Sequence, residues 1–171
     1  MKQVKKSWIA ALVGALLMAT LVGVVWARPN GRPEASPAWK VLTVSAADCI
    51  PALDGNDWDN WGRFLRCDSG ICYFTCPVPL PPETVRVKKF EMYAHDEGPL
   101  NITSRLHRPY PLAGNALKMA DANSSGSSSG VRTFTDTTIA NNPVRPRHGT
   151  YVWLKVPTGS YEVYGFRVCY E

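Results

Sequence analysis

Residues 150–170 read TYVWLKVPTGSYEVYGFRVCY. In the first half, Val152, Leu154 and Val156 alternate with Tyr151, Trp153 and Lys155. A period of two with apolar groups on one side is the mark of a half-buried β-strand. After the turn residues Pro157, Thr158, Gly159 and Ser160 the alternation resumes. There Tyr164, Phe166, Val168 and Tyr170 are expected on one side, with Val163, Arg167 and Cys169 on the other.

The same signals recur upstream. WKVLTVS (39–45) alternates weakly, and RFLRC (63–67) and ICYFTC (71–76) flank Asp68-Ser69-Gly70, which reads as a hairpin turn. PVPLPPE (77–83) holds four prolines and cannot sit inside a central strand. In TVRVKKFEMYAHD (84–96) the apolar parity shifts from Val85 and Val87 to Phe90, Met92 and Ala94, which places a β-bulge near Lys88-Lys89. LNITSRLHR (100–108) puts Leu100, Ile102 and Leu106 on one face. ALKMADA (116–122) and the Thr-rich VRTFTDTTI (131–139) complete the set. No window after Trp39 sustains helical periodicity. The expectation is an all-β antiparallel sandwich or jelly roll of about eight strands.

The N-terminal end differs. Lys2, Lys5 and Lys6 precede a charge-free apolar run from Ile9 to Trp26, and Val25-Trp26-Ala27 supplies a cleavage pattern. Residues 1–27 are expected to be a signal peptide or, uncleaved, a signal anchor touching the membrane through residues 9–26. Residues 28–38 form a Pro-rich linker, and 39–171 the sandwich domain. The protein is therefore expected outside the cytoplasm, secreted or anchored. The whole chain carries 19 Lys and Arg against 14 Asp and Glu. Removing the leader leaves 16 basic residues and the same 14 acids, with no basic run longer than Lys88-Lys89. That balance argues against nucleic acid as a partner.

The pieces 74–96, 100–108, 123–144, 150–156 and 161–170 resemble a recurrent family of uncharacterised secreted bacterial β-sandwich proteins, over roughly Pro77 to Tyr170. The resemblance implies a jelly-roll-like sandwich and no activity. Cys76 and Cys169 depart from that pattern.

Five cysteines remain after the leader, an odd number for an oxidising compartment. Cys67 and Cys72 flank the 68–71 turn and are the first expected disulfide. Cys72 and Cys76 are too far apart to bridge along one strand. A further pair among Cys49, Cys76 and Cys169 is expected to tie an early segment to the last strand. C-x4-C-x3-C does not match a zinc pattern, and neither metal nor cofactor is expected.

Three stretches carry possible chemistry. DGNDWDNWG (54–62) offers Trp58 and Trp61 as platforms for sugar rings, with Asp57 and Asp59 to hydrogen-bond hydroxyls. As a calcium loop it fails, because Trp61 replaces an oxygen ligand and position twelve is Asp68. Gly126-Ser127-Ser128-Ser129-Gly130 matches G-x-S-x-G, with Asp136 and His148 following in hydrolase order. A β-branched strand rather than a helix follows it, so the stretch SSGSSSG (124–130) is read as an exposed, mobile loop. His95, His107 and His148 are scattered and read as exposed polar residues. The leading expectation is a non-enzymatic extracytoplasmic binding or structural module with no catalytic residues. Its candidate partners are polysaccharide or copies of itself. The alternatives are a glycan-binding module using Trp58 and Trp61, and a secreted hydrolase through Ser128.

Overall fold

Val152, Leu154 and Val156 are fully buried in the computed structural model, whereas Tyr151, Trp153 and Lys155 are half-buried on the other side. Apolar groups taken out of water on one face, with larger amphipathic groups left on the other, make this strand one wall of a sandwich. The structure describes residues 38–53, 55–110, 114–145 and 148–171, with Tyr110 described in its backbone alone. The expected leader (1–27) and all of the linker but Ala38 lie outside them. The compact unit that contains the described fold spans Trp39–Glu171. Among the described residues no helix is long and apolar enough to cross a membrane.

Eleven strands are found among the described residues, not about eight. They are β1 (Lys40–Ser45), β2 (Ile50–Pro51), β3 (Trp58–Asn60), β4 (Leu65–Cys67), β5 (Ile71–Pro77), β6 (Val87–Asp96), β7 (Thr103–Tyr110), β8 (Asn115–Asn123), β9 (Ser128–Asp136), β10 (Tyr151–Pro157) and β11 (Tyr161–Tyr170). The surplus lies in β2 and β3, strands of two and three residues too short to show a period. One sheet runs β3-β4-β11-β6-β9 with β1 also on β11; the other runs β2-β5-β10-β7-β8. All strand pairs are antiparallel. The stretch 150–170 thus supplies a central strand to each sheet, and its turn carries the chain from one layer to the other. Between the layers lie Phe74, Leu106 and Leu154 from one sheet and Phe90, Met92 and Phe166 from the other, all fully buried. Phe90 and Phe166 stack at 5.9 Å.

Four expectations are corrected. Asp68-Ser69-Gly70 is not a hairpin turn, since β4 and β5 belong to different sheets. The disulfide Cys67–Cys72, with Cα atoms 5.6 Å apart, therefore clips one layer to the other. The second bridge is Cys49–Cys76 and does not reach the last strand; Cys169 is a buried free thiol. In β11 the inward residues are first Tyr161 and Val163 and then Phe166 and Val168, because Tyr164 is an extra residue in the register with β6. The bulge also changes the meaning of Gly165: a Cβ there would sit 2.5 Å from the carbonyl oxygen of Val44 on the neighbouring β1. Only a glycine lets β1 lie that close. The stretch 124–130 is not one free loop either. Ser128, Ser129 and Gly130 open β9, and Ser124 is buried with its hydroxyl accepting the Ile102 N–H at 2.7 Å.

The bulge expected near Lys88-Lys89 is present. Cys169 faces Lys89 and Tyr170 faces Val87, which leaves Lys88 unopposed. Val85, Val87, Phe90, Met92 and Ala94 are all buried across it.

Candidate functional site

Alternation along β5, β10 and β7 buries Cys72, Phe74, Cys76, Val152, Leu154, Val156, Ser104 and Leu106 and turns their neighbours outward. The registers then line the outward groups into rows across the sheet. One row is Tyr73, Lys155, Thr103 and Asn123. The next is Thr75, Trp153, Arg105 and Asp121, and the third brings Tyr151 beside His107 and Lys118. At about 3.3 Å per residue and about 4.8 Å between strands, the patch measures roughly 13 by 14 Å.

Aromatic rings dominate it. Tyr73 and Trp153 are in contact at 5.6 Å, and Tyr151 and His107 lie nearly parallel at 5.4 Å. The Arg105 guanidinium sits 5.3 Å over the Trp153 ring and donates to Asp121 at 3.1 Å, and Lys118 also pairs with Asp121. These contacts hold the rings in place before any ligand arrives, which lowers the ordering cost of binding. Burial and then the charge of Arg105 push the His107 imidazole below its ordinary range, with Lys118 adding to the effect and Asp121 opposing it. His107 is therefore a neutral ring at physiological pH and serves the patch as a flat surface. Its buried Nδ1 has no hydrogen-bond partner among the described residues. Flat rings beside hydroxyls, amides and charged tips suit a ligand with apolar faces and polar edges.

The residues singled out from sequence lie elsewhere. Trp58 sits edge-on to buried Phe74 at 5.4 Å. Trp61 is 63% exposed, stacks on Phe64 at 6.3 Å and donates its indole N–H to Asp59 at 3.2 Å. Asp59 also holds Arg66 at 3.0 Å, and the Asp57 carbonyl accepts from the Asp68 and Ser69 N–H groups. The structure brings Trp61 and Asp59 together, and it gives the two indoles different neighbours. Among the described residues no three His, Cys, Asp or Glu side chains converge as a metal site would require. Ser128 and Asp136 stand at the two ends of β9, roughly 26 Å apart at about 3.3 Å per residue. Asp136 is used locally, accepting from the Asp121 and Thr138 N–H groups. His148, expected to be exposed, is buried with Nδ1 facing the Arg145 N–H. These three cannot act as a triad.

A second concavity, of about 350 Å³, lies where Arg66 and Asp68 face His95, Glu97 and Glu162. Its polar groups contact one another. Arg66 pairs with Asp68 at 2.9 Å, and His95 lies 3.2 Å from Glu97 and 3.9 Å from Glu162.

No protein-family model and no curated protein matches this sequence. Among solved structures, the C-terminal family 6 carbohydrate-binding module of LamC, a marine laminarinase from Zobellia galactanivorans, superposes with a TM-score of 0.50 at 11% identity, over 75% of this chain and 98% of that one. The chain shares the two-sheet fold of that module. A family 35 carbohydrate-binding module from Clostridium thermocellum gives a TM-score of 0.46 at 16% identity, over 75% of this chain and 97% of that one. A mutant of a family 29 carbohydrate-binding module, complexed with cellulohexaose, gives 0.48 at 7% identity, over 77% and 91%. The likeness to the laminarinase module extends to the two-sheet fold and leaves the ligand to the side chains that line each site. The resemblance to a recurrent secreted family has no family model behind it.

Sequence reasoning placed Tyr151, Trp153 and Lys155 on the outer side of one strand but did not assemble the patch. The available signal was two aromatic rings and a lysine on what should be a solvent face, where polar residues are the norm.

Proposed function

We propose that residues 39–171 form a non-enzymatic carbohydrate-binding module, acting outside the cytoplasm, whose ligand lies across the outer face of the five-stranded sheet. The observation that carries this reading is the contiguous ring surface of Tyr73, Trp153, Tyr151 and His107, flanked by Thr75, Thr103 and Arg105. Sugar rings present C–H faces that stack on aromatics, while Arg and Thr reach their hydroxyls. The shared fold with a known carbohydrate-binding module supports it, and two disulfides support an oxidising compartment.

Co-sedimentation with insoluble cell-wall polysaccharides tests the reading. Trp153→Ala should weaken binding about 30-fold, the scale of a central aromatic anchor, with Tyr73→Ala close behind. Retention of both variants at the wild-type level would reject it. The exposure of Trp61 supports a second reading, in which the edge around β3 makes the contact. In that case Trp61→Ala, and not Trp153→Ala, abolishes retention.

A further inference from the structure

Lys155 sits between Tyr73 and Thr103 in an outer row of the patch, next to the row of Trp153. Its side chain is half-buried, and among the described residues no carboxylate pairs with it. On the opposite outer face Lys89 and Arg167 both address Glu91, at 2.9 and 3.6 Å, and Tyr93 donates to the same carboxylate at 3.2 Å. In the concavity around His95 the arginine, Arg66, pairs with Asp68 at 2.9 Å. On the ring-bearing face the outward groups Arg105, Lys118 and Lys155 meet a single acid among the described residues, Asp121, which Arg105 and Lys118 already share. A half-buried lysine with no carboxylate partner, standing beside aromatic rings, offers its charge to an anionic group on a ligand.

Resting on the glycan reading of this face, we propose that its ligand is an anionic polysaccharide, and that the ammonium of Lys155 takes the acidic group while Tyr73 and Trp153 hold the neighbouring sugar rings. The spacing suits this division of labour. Lys155 lies directly across from Tyr73 and two residues from Trp153 on the same strand, so an acidic substituent on a ring stacked at Tyr73 or Trp153 falls within its reach. Carboxylate and sulfate are two substituents that supply such a charge on a sugar. Both accept from an ammonium as a point charge, with no need for the two-pronged geometry of arginine. Asp121 is held off the ligand by its own two cations, which limits repulsion.

The oxidised protein is titrated by affinity gel electrophoresis and calorimetry against polygalacturonate, dextran sulfate and a neutral β-glucan. Binding to at least one acidic polymer is expected to exceed binding to the neutral one by about tenfold, and Lys155→Gln should remove that preference. Lys155→Arg should restore most of it, which separates loss of charge from loss of fold. Lys40→Gln, a surface lysine paired with Glu83 at 3.1 Å outside the patch, should change nothing. Preference for polygalacturonate alone marks a uronate ligand, and preference for dextran sulfate alone marks a sulfated one; either supports the proposal. If the neutral glucan binds as tightly as the acidic polymers, and Trp153→Ala abolishes it while Lys155→Gln does not, the anionic proposal is overturned and the glycan reading stands. If Lys40→Gln loses as much as Lys155→Gln, the attraction is diffuse charge and the proposal is overturned. If no polymer depends on Trp153, both fall.

Discussion

Replacing Cys49 and Cys76 together by alanine should destabilise the domain more than replacing Cys67 and Cys72. The first bridge closes a sequence separation of 27 residues and the second only 5. In the chain-entropy treatment a closed loop of 27 residues removes about 3.5 kcal/mol of unfolded-state freedom at 25 °C, and one of 5 residues about 2 kcal/mol. All four cysteines are almost fully buried, so the volume lost on going to alanine is the same in both variants and cancels in the comparison. The difference of about 1.5 kcal/mol should appear in urea unfolding as a lower midpoint for the Cys49→Ala/Cys76→Ala variant, with a steeper slope because opening the longer loop lets the unfolded chain expose more surface. In thermal unfolding the two losses correspond to about 14 °C and about 8 °C, at about 4 °C per kcal/mol for a domain of this size. An equal or larger loss in the Cys67→Ala/Cys72→Ala variant would rule out loop closure as the dominant effect. It would mean that the short clip acts by holding β4 against β5 across the two layers.

Other outcomes follow from single side chains. Alkylation of unfolded protein without reductant should label one thiol, Cys169, and after reduction five; mass spectrometry reads both numbers. Gly165→Ala should cost about 2–3 kcal/mol by forcing β1 off the Val44 carbonyl, and a urea midpoint within error of wild type would contradict the close approach. Ser128→Ala should leave stability within about 0.5 kcal/mol, and fluorophosphonate should not label the wild type, since Asp136 of the hydrolase pattern stands at the far end of β9 from Ser128; labelling of the folded protein would overturn this. His107 has a folded pKa below its unfolded value near 6.5. Above both, the ring is neutral in either state and pH has no effect through it. As pH falls past 6.5 the unfolded chain takes the proton first, so stability should decline and then level once the folded ring is also charged. His107→Gln should flatten that part of the stability profile, and an unchanged profile would reject the burial of the ring.

Much of the fold could be read from residue periods. Long strands with one buried face announce themselves, as β5, β6 and β10 do, and the parity shift at Lys88 marks its bulge. What escaped had physical reasons. Strands of two or three residues hold no period. The bulge at Tyr164 was hidden because Tyr and Val are equally at home inside and out, so the wrong parity also looked amphipathic. The turn at Asp68-Ser69-Gly70 has hairpin chemistry, yet Cys67 and Cys72 bridge two layers, which no local rule reports. The patch was invisible for a topological reason: Tyr73, Trp153 and Arg105 come from three strands whose adjacency is a property of the fold, not of any window. Trp58 and Trp61 stood out because they are close in sequence; Trp153 did not, because its partners are 48 and 80 residues away.

Whether glycan lies on the outer face of the five-stranded sheet can be decided by an amide-correlation NMR titration, which locates the contact without presupposing it. The oxidised, isotopically labelled protein is titrated with an oligosaccharide from the best-retained polysaccharide. The expected result is a cluster of shifted resonances at Tyr73, Thr75, Arg105, His107, Trp153 and Lys155, with the Trp153 indole among the largest. Shifts confined to Trp58–Phe64, or to the concavity of Arg66, His95 and Glu162, would contradict it.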